Sequence, residues 1–419
     1  MGEIRPYTIH HVYINDLNQN EYRSLEQGGR YYLVFWWKSF ALGDLYIENY
    51  NDQFEDLQRD IFNAIEPALQ SYLADGCLVG QIKTFFFEKS LKEFMNLMEE
   101  SLKQFLPESY PDTLGISVII CTRNRSSDLD VCLHYLLKQH CLPSEIIVID
   151  NAPSDSGTKN VVNKYDSVSY ILEPKAGLDF ARNTGVKSSR FPIIAFVDDD
   201  VKVHPLWSYR IWETFQDTDI AAMTGLIISF SLETESQQIF EKHWGFNKGY
   251  KEISFNKAFI QVKPPRVWDI GAGANMAFRK VVIEQADYFD ERLGAGASGC
   301  GDDSEMWYKI LLNGHIIKYN PRAISFHEHR KDMESLHKQL FSYMRGHVAA
   351  SLLQHKYYPK AGYKKYVFYD IPRYYLLLAR IGFPNYHFRY STLWSEFKGI
   401  SSGFRFYLKN RKRPRISKP

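Results

Sequence analysis

IIAFVDDDVKVHP, residues 193–205, sets Asp198, Asp199 and Asp200 directly behind a run of apolar residues. An apolar run of this length, rich in β-branched residues, predicts a strand buried on both faces. Three like charges at its end repel one another unless something on that rim compensates them. In an extended segment alternate side chains point the same way, so Asp198 and Asp200 are expected to converge while Asp199 faces elsewhere. Two readings are open from these residues: a solvated turn that caps the helix near Pro205, or hard oxygen ligands for a divalent cation such as Mg or Mn.

Working outward, the strand belongs to a regular series. "ISVIIC" (116–121) precedes a helical stripe of Leu129, Cys132, Leu133, Leu136 and Leu137, and "EIIVID" (145–150) precedes a second helical stretch. "VSYILEP" (168–174), a helix over 178–188, "PIIAFVD", a helix near 205–215 and "IAAMTGLI" (220–227) continue it. Buried strands alternating with helices predict an α/β domain with a mostly parallel sheet covered on both faces. Ligands of such sheets bind at the carboxyl ends of the strands, where strand order reverses. Thr122, Arg123 and Asn124, then Asp150 and Asn151, then Glu173, then Asp198–Asp200 stand at four of those ends.

The turn after the first strand, "CTRNRSSD", has no glycine, which excludes a dinucleotide fingerprint or a Walker loop. Phosphates at this rim would need a cation held by carboxylates. A second acidic site is "GCGDDSEMW" (299–307), where Asp302 and Glu305 have the spacing of a capping box opening an amphipathic helix.

Composition narrows the class of protein. The 419 residues are 45% apolar and 15% aromatic with a formal net charge of +2, an ordered globular chain without the basic excess of a nucleic-acid binder. Five cysteines without a CxxC pair argue against a disulfide framework or a structural zinc, and fit a reducing compartment. Neither a signal core nor an apolar stretch of about 18 residues is present, so a cytoplasmic protein is expected. Residues 1–110 read as an α+β unit without a chemical motif, joined by the linker "LPESYPDTLG" (106–115) to a central domain over 111–330. Residues 331–419 read as helices rich in Tyr, Phe, Leu and Arg, with seven basic and no acidic residues from Arg405 onward. Such a tail suits either solvent or, as a peripheral contact, the anionic inner face of a membrane.

Taken in order, "ISVIICTRNR", "EIIVIDNAPSD", "GLDFARNTG", "AFVDDDV", "IGAGANMAFRK" and "GCGDDSEMWYKILLNGHIIKYNPRAISFHEH" resemble an inverting family 2 glycosyltransferase of GT-A fold, over roughly 116–330. The resemblance implies transfer of a sugar from a nucleotide-diphosphate donor, UDP first with GDP and dTDP open, to a glycan or lipid-linked acceptor hydroxyl. It implies donor contacts from Thr122, Arg123, Asp150, Arg182, Asn183, Asp198 and Asp199. A divalent metal, Mn or Mg, would lie on Asp198, Asp200 and His327, with His329 as the alternative to His327. Asp303 would be the general base, and Asn275, Trp268 and Asp269 would lie near the sugars. The QxxRW motif of processive members is absent, which implies single addition and leaves Arg345 as the candidate facing the leaving diphosphate. A nucleotidyltransferase and an inactive sugar-nucleotide or glycan binder are the competing readings.

Overall fold

The first hundred residues build a small sheet from three strands, β1 (Thr8–Tyr13), β2 (Tyr31–Trp37) and β3 (Phe40–Ile47). β1 runs parallel and β3 antiparallel to β2. Three helices follow: α1 (Phe54–Leu73), α2 (Gly76–Phe87) and α3 (Leu91–Leu102). All seven residues of β2, YYLVFWW, are buried. The pleat explains why none needs to be polar: successive side chains face opposite sides, and both sides are covered. Trp37 meets Phe94 of α3, while Trp36 stacks on His204 and lies against Phe326 of the central domain. Leu57, Ile61, Ile65 and Leu69 of α1 are buried at the spacing of one helical stripe. The computed structural model describes residues 5–16, 25–50, 54–73, 75–88, 90–107, 109–382 and 390–413.

The central domain follows as β4 (Thr113–Thr122), α4 (Ser126–Leu137), β5 (Leu142–Asn151), α5 (Gly157–Val162), β6 (Val168–Glu173) and α6 (Leu178–Ser188). Next come β7 (Ile193–Asp198), β8 (Val201–Val203), α7 (Trp207–Thr214), β9 (Ile220–Ser229), α8 (Glu235–Trp244) and β10 (Ile253–Phe255). It closes with β11 (Asn275–Arg279), α9 (Lys280–Gln285), α10 (Asp302–Leu312) and β12 (Ile316–His327). Nine strands make one sheet in the order β10-β12-β9-β11-β7-β4-β5-β6, with β8 on β12. β6, β5, β4 and β7 are mutually parallel, as are β9 and β12, while β11 runs antiparallel between β7 and β9. The chain winds outward from β4 to β6 and then returns to β4's other side as β7, so the order reverses at β4. The expected α/β arrangement with a mostly parallel sheet is thus observed.

Period two along these strands sorts the core into two layers. Val118, Ile120, Ile146, Val148, Ala195 and Val197 pack on α4, α5 and α7. Their alternates Ile119, Ile147, Ile149, Ile194 and Phe196 pack with α6 and α10 in a core that runs on into the N-terminal unit.

The last region is helical: α11 (Met333–Tyr357), the short α12 (Tyr363–Lys365), α13 (Ile371–Gly382) and α14 (Leu393–Asn410). α14 lies on α11 through Gly399 and Gly403, four residues apart on one helix face. A Cβ there would come within 2.5 Å of the Phe341 carbonyl and 2.7 Å of the Arg345 carbonyl. Among the described residues no helix is long and apolar enough to cross a membrane.

Candidate active site

At the carboxyl ends of β4, β5 and β7 the sheet opens into a cavity of about 1470 Å³, lined by Thr122, Arg123, Asn151, Arg182, Asp198–Asp200, Asp303 and His327 among others. Two non-glycine residues just past these strands hold left-handed backbone: Asn124 (φ 55°) after β4 and Ala152 (φ 44°) after β5. Such conformations persist only where the surroundings enforce them. Here the Asn124 side chain accepts from the Ser154 amide, tying the two rim loops together.

The acidic triplet spans a turn between β7 and β8 rather than an extended segment, since Asp199 and Asp200 lie between the strands. The helix α7 takes Leu206 as its cap residue, so the triplet caps nothing. Asp199 points to the β4 loop: it accepts from the Thr122 hydroxyl at 2.6 Å and from Arg125 at 2.6 Å. Arg125 also reaches Asp200 at 3.1 Å, and Arg330 lies 3.8 Å from it. Burial pushes Asp200 up, but in the acid range where it titrates a protonated His327, with Arg125 and Arg330, outweighs it and holds the carboxyl below its ordinary range. Asp198, buried beside Asp200, is raised to about 6.

His327 stands at the end of β12, opposite Asp200. Its Nδ1 lies 3.1 Å from Nδ1 of His329, whose Nε2 lies 2.8 Å from Glu241 Oε2. A carboxylate oxygen only accepts, so His329 carries its proton on Nε2, and its Nδ1 accepts the proton of His327 Nδ1. His327 Nε2 is then left with a lone pair 3.4 Å from Asp200 Oδ1. Burial lowers the His327 imidazole to about 4, so it is neutral near pH 7. Two electron-rich atoms facing each other at that spacing suit a cation between them. Among the described residues no group of three His, Cys, Asp or Glu side chains is set to hold a metal ion. Asp200 and His327 fit an ion whose remaining ligands come from water or a bound phosphate.

The second acidic site departs from the sequence expectation. Gly301, at φ 91°, is the cap residue of α10, and Asp302 forms no capping box. Asp302 instead pairs with Arg182, which also lies 3.4 Å from Asp179, and Glu305 pairs with Lys309 at 3.0 Å. Asp179 is fully buried and Arg182 nearly so, at the cavity wall, so the cluster is a buried charge network. Asp303, one residue on, faces the cavity. Its Oδ2 accepts from the Gly273 amide at 3.1 Å and its Oδ1 from the Ser304 amide at 2.6 Å. Burial and the Asp302 carboxylate raise it to about 6, against the opposing pull of Arg182. At Gly273 a Cβ would stand 2.8 Å from Arg182 Nη2, so a bare backbone lets the amide reach Asp303.

Several expected contacts lie elsewhere. Asp150 does not line the cavity: it is wholly buried and accepts from Tyr170 at 2.9 Å, whereas its neighbour Asn151 does line it. Asn183 is spent on the Phe289 backbone and Glu291. Asn275 sits inside the sheet, donating to the Leu226 and Ala323 carbonyls and accepting from Trp207. Arg345 donates to the carbonyls of Ser298 and Ala297 and is not at the cavity wall. His329 lies behind His327, outside the lining. Trp268 and Asp269 do line the cavity, as do Arg125, Arg330, His347 and Tyr366, which sequence reasoning missed. Their partners are remote in sequence: Arg125 meets residues 74 and 75 positions away. Arg330 alone carried a local signal, three residues beyond His327 in "HEHR".

Residues 117–285 match the family model described as glycosyl transferase family 2. A hyaluronan synthase of Pasteurella multocida is 24% identical over 247 residues, covering 51% of this chain and 24% of that protein. Glycosyltransferase AglE of Haloferax volcanii is 26% identical over 246 residues, covering 57% of this chain and 74% of that one. The chain therefore spans about a quarter of the synthase's length, but most of AglE's. A solved mannosyltransferase of Pyrobaculum calidifontis, in complex with GDP-Man and Mn2+, aligns with 83% of this chain and 99% of its own, at 15% identity and a TM-score of 0.49. The likeness to glycosyl transferase family 2 thus lies in the central part of the chain.

Proposed function

We propose that the protein is an inverting glycosyltransferase that moves one sugar from a nucleoside diphosphate sugar to an acceptor hydroxyl, with Mn or Mg at the acidic turn. One observation carries the reading: the Asp200–His327 pair and the Asp303 carboxylate open into the same cavity. A nucleotidyltransferase would instead want a glycine-rich phosphate loop after β4, and "CTRNRSSD" is not one.

In this mechanism Thr122, Arg123 and Asn151 border the nucleotide at the ends of β4 and β5. Asp200 and His327 would hold the cation, with Asp198 beside them. A divalent ion there supplies charge stabilisation, worth several kcal/mol, to a departing diphosphate. Asp303 takes the proton of the acceptor hydroxyl as that oxygen attacks the anomeric carbon. The bond from that carbon to the diphosphate oxygen breaks on the opposite face, and the nucleoside diphosphate leaves with the electron pair. The Gly273 and Ser304 amides orient Asp303, while Arg182 keeps Asp302 engaged, so the proton goes to Asp303. Trp268 packs with His347 and Tyr366 at ring-centroid distances of 4.9 and 5.3 Å, an aromatic wall suited to an acceptor sugar.

The test is thermal unfolding with UDP, GDP or dTDP, each with and without Mn. A ligand that binds the native state stabilises it by RT ln(1 + [L]/Kd). One nucleotide is expected to raise Tm in a Mn-dependent way, and its sugar conjugate to be consumed. No shift with any of the three would overturn the reading.

A further inference from the structure

Among the described residues, eight of the twenty exposed large apolar side chains lie between Phe368 and Leu408, although that stretch is a tenth of the chain. Leu376 is 72% exposed and Trp394 68%, and Phe368, Tyr374, Leu377 and Phe397 accompany them. The segments that carry these residues meet in one apolar cluster. Phe397 of α14 lies 4.8 Å, ring to ring, from Tyr375 of α13, and Phe368 lies 5.4 Å from Phe404. Exposed apolar side chains gathered on packed helices in this way mark an interaction surface.

Its charge says what it meets. From Tyr363 to Arg413 the sequence holds eleven Lys and Arg against two acids, Asp370 and Glu396. Glu396 is fully buried, bonded by Tyr375 and Thr392, so it presents no carboxylate at the surface. On α14, Trp394, Lys398, Arg405 and Lys409 fall along one exposed stripe at helical spacing. Aromatic and aliphatic anchors interleaved with cations suit the boundary between acyl chains and anionic headgroups. An acidic protein partner would satisfy the cations but leave the aliphatic tips without a matching role. The face also adjoins the cavity, because Tyr374, half exposed on α13, is one of the residues that line it.

We propose that the α13–α14 face seats on an anionic lipid surface and presents the cavity mouth to it, so that the acceptor hydroxyl arrives on a lipid-anchored carrier. The acceptor half of this proposal rests on the transferase reading above; the docking half does not. The protein lies on the surface without spanning it.

The experiment is flotation of the full chain with vesicles of phosphatidylcholine, alone or mixed with phosphatidylglycerol. Wild type is expected to float with the mixed vesicles, to stay in solution with phosphatidylcholine alone, and to be released by high salt. Leu376→Glu/Trp394→Glu is expected to weaken binding by about tenfold or more, since both tips would leave the acyl boundary. Arg405→Glu/Lys409→Glu provides an independent pair should the first fold poorly, and is expected to do the same. Both variants are expected to keep the wild-type nucleotide thermal shift, and to lose rate only toward an acceptor carried in vesicles. Wild type that ignores anionic vesicles, or variants that float equally well, would overturn the proposal. So would a dimer in solution, without lipid, that Leu376→Glu/Trp394→Glu dissolves. Failure of the transferase reading would look different: no nucleotide shift in any chain, with flotation intact.

Discussion

Two acidic clusters face one cavity, and they differ in what neutralises them. At the β7–β8 turn, Asp200 is kept ionised by its surroundings and meets a neutral imidazole across 3.4 Å, with Arg125 approaching from the side. At the start of α10, Asp302 is closed off by Arg182, and Asp303 is left with a raised proton affinity and two backbone amides. The same side chain is thereby prepared for two tasks, holding a cation at one site and accepting a proton at the other. Identity and spacing of the residues do not make this division; the counter-charge packed behind each carboxylate does.

The sharpest break of that contrast is Asp303→Asn. It should lower kcat by about 10²- to 10⁴-fold while leaving the Mn-dependent nucleotide shift intact, as read by steady-state kinetics beside thermal unfolding. Arg182→Met attacks the same cluster from behind. It leaves Asp179 and Asp302 buried without their cation and should cost about 3–5 kcal/mol of unfolding free energy in a denaturant titration. At the other cluster, His329→Leu removes the group that sets the proton on His327. Mn affinity should fall about 10- to 100-fold, measured by titration of the free ion's electron paramagnetic resonance signal.

The mildest test is pH. Asp303 is raised to about 6, so below that pH it is protonated in the free enzyme and cannot accept the acceptor's proton. Near pH 7 it is mostly ionised and competent. The value of kcat/KM should therefore fall about tenfold per unit as pH drops below 6. A flat profile down to pH 5 would assign the proton to another group.

Strand existence and order along the chain were legible because β-branched runs buried on both faces have few alternatives. β2 shows why the pattern works even without alternation: YYLVFWW is covered on each side. The direction of individual side chains at strand ends was not legible. Asp150 and Asn151 are adjacent, yet only Asn151 reaches the cavity, since Asp150 is taken up by Tyr170 of the neighbouring strand. Arg182 was expected near the donor and does line the cavity, but its pairing with Asp302, 120 positions away, was not legible. The capping-box spacing of Asp302 and Glu305 misled for the same reason, because a buried arginine competes for the carboxylate more strongly than a backbone amide. Glu241, which orients His327 through His329, carries no local pattern, and His329 was expected only as the alternative ligand.

The most direct measurement is Mn binding by the wild type, Asp200→Asn and Asp303→Asn in the presence of the nucleotide that shifts Tm. Asp303→Asn should bind Mn as the wild type does, and Asp200→Asn should lose at least about tenfold in affinity. Equal losses in both variants, or normal binding by Asp200→Asn, would contradict the division between the two clusters.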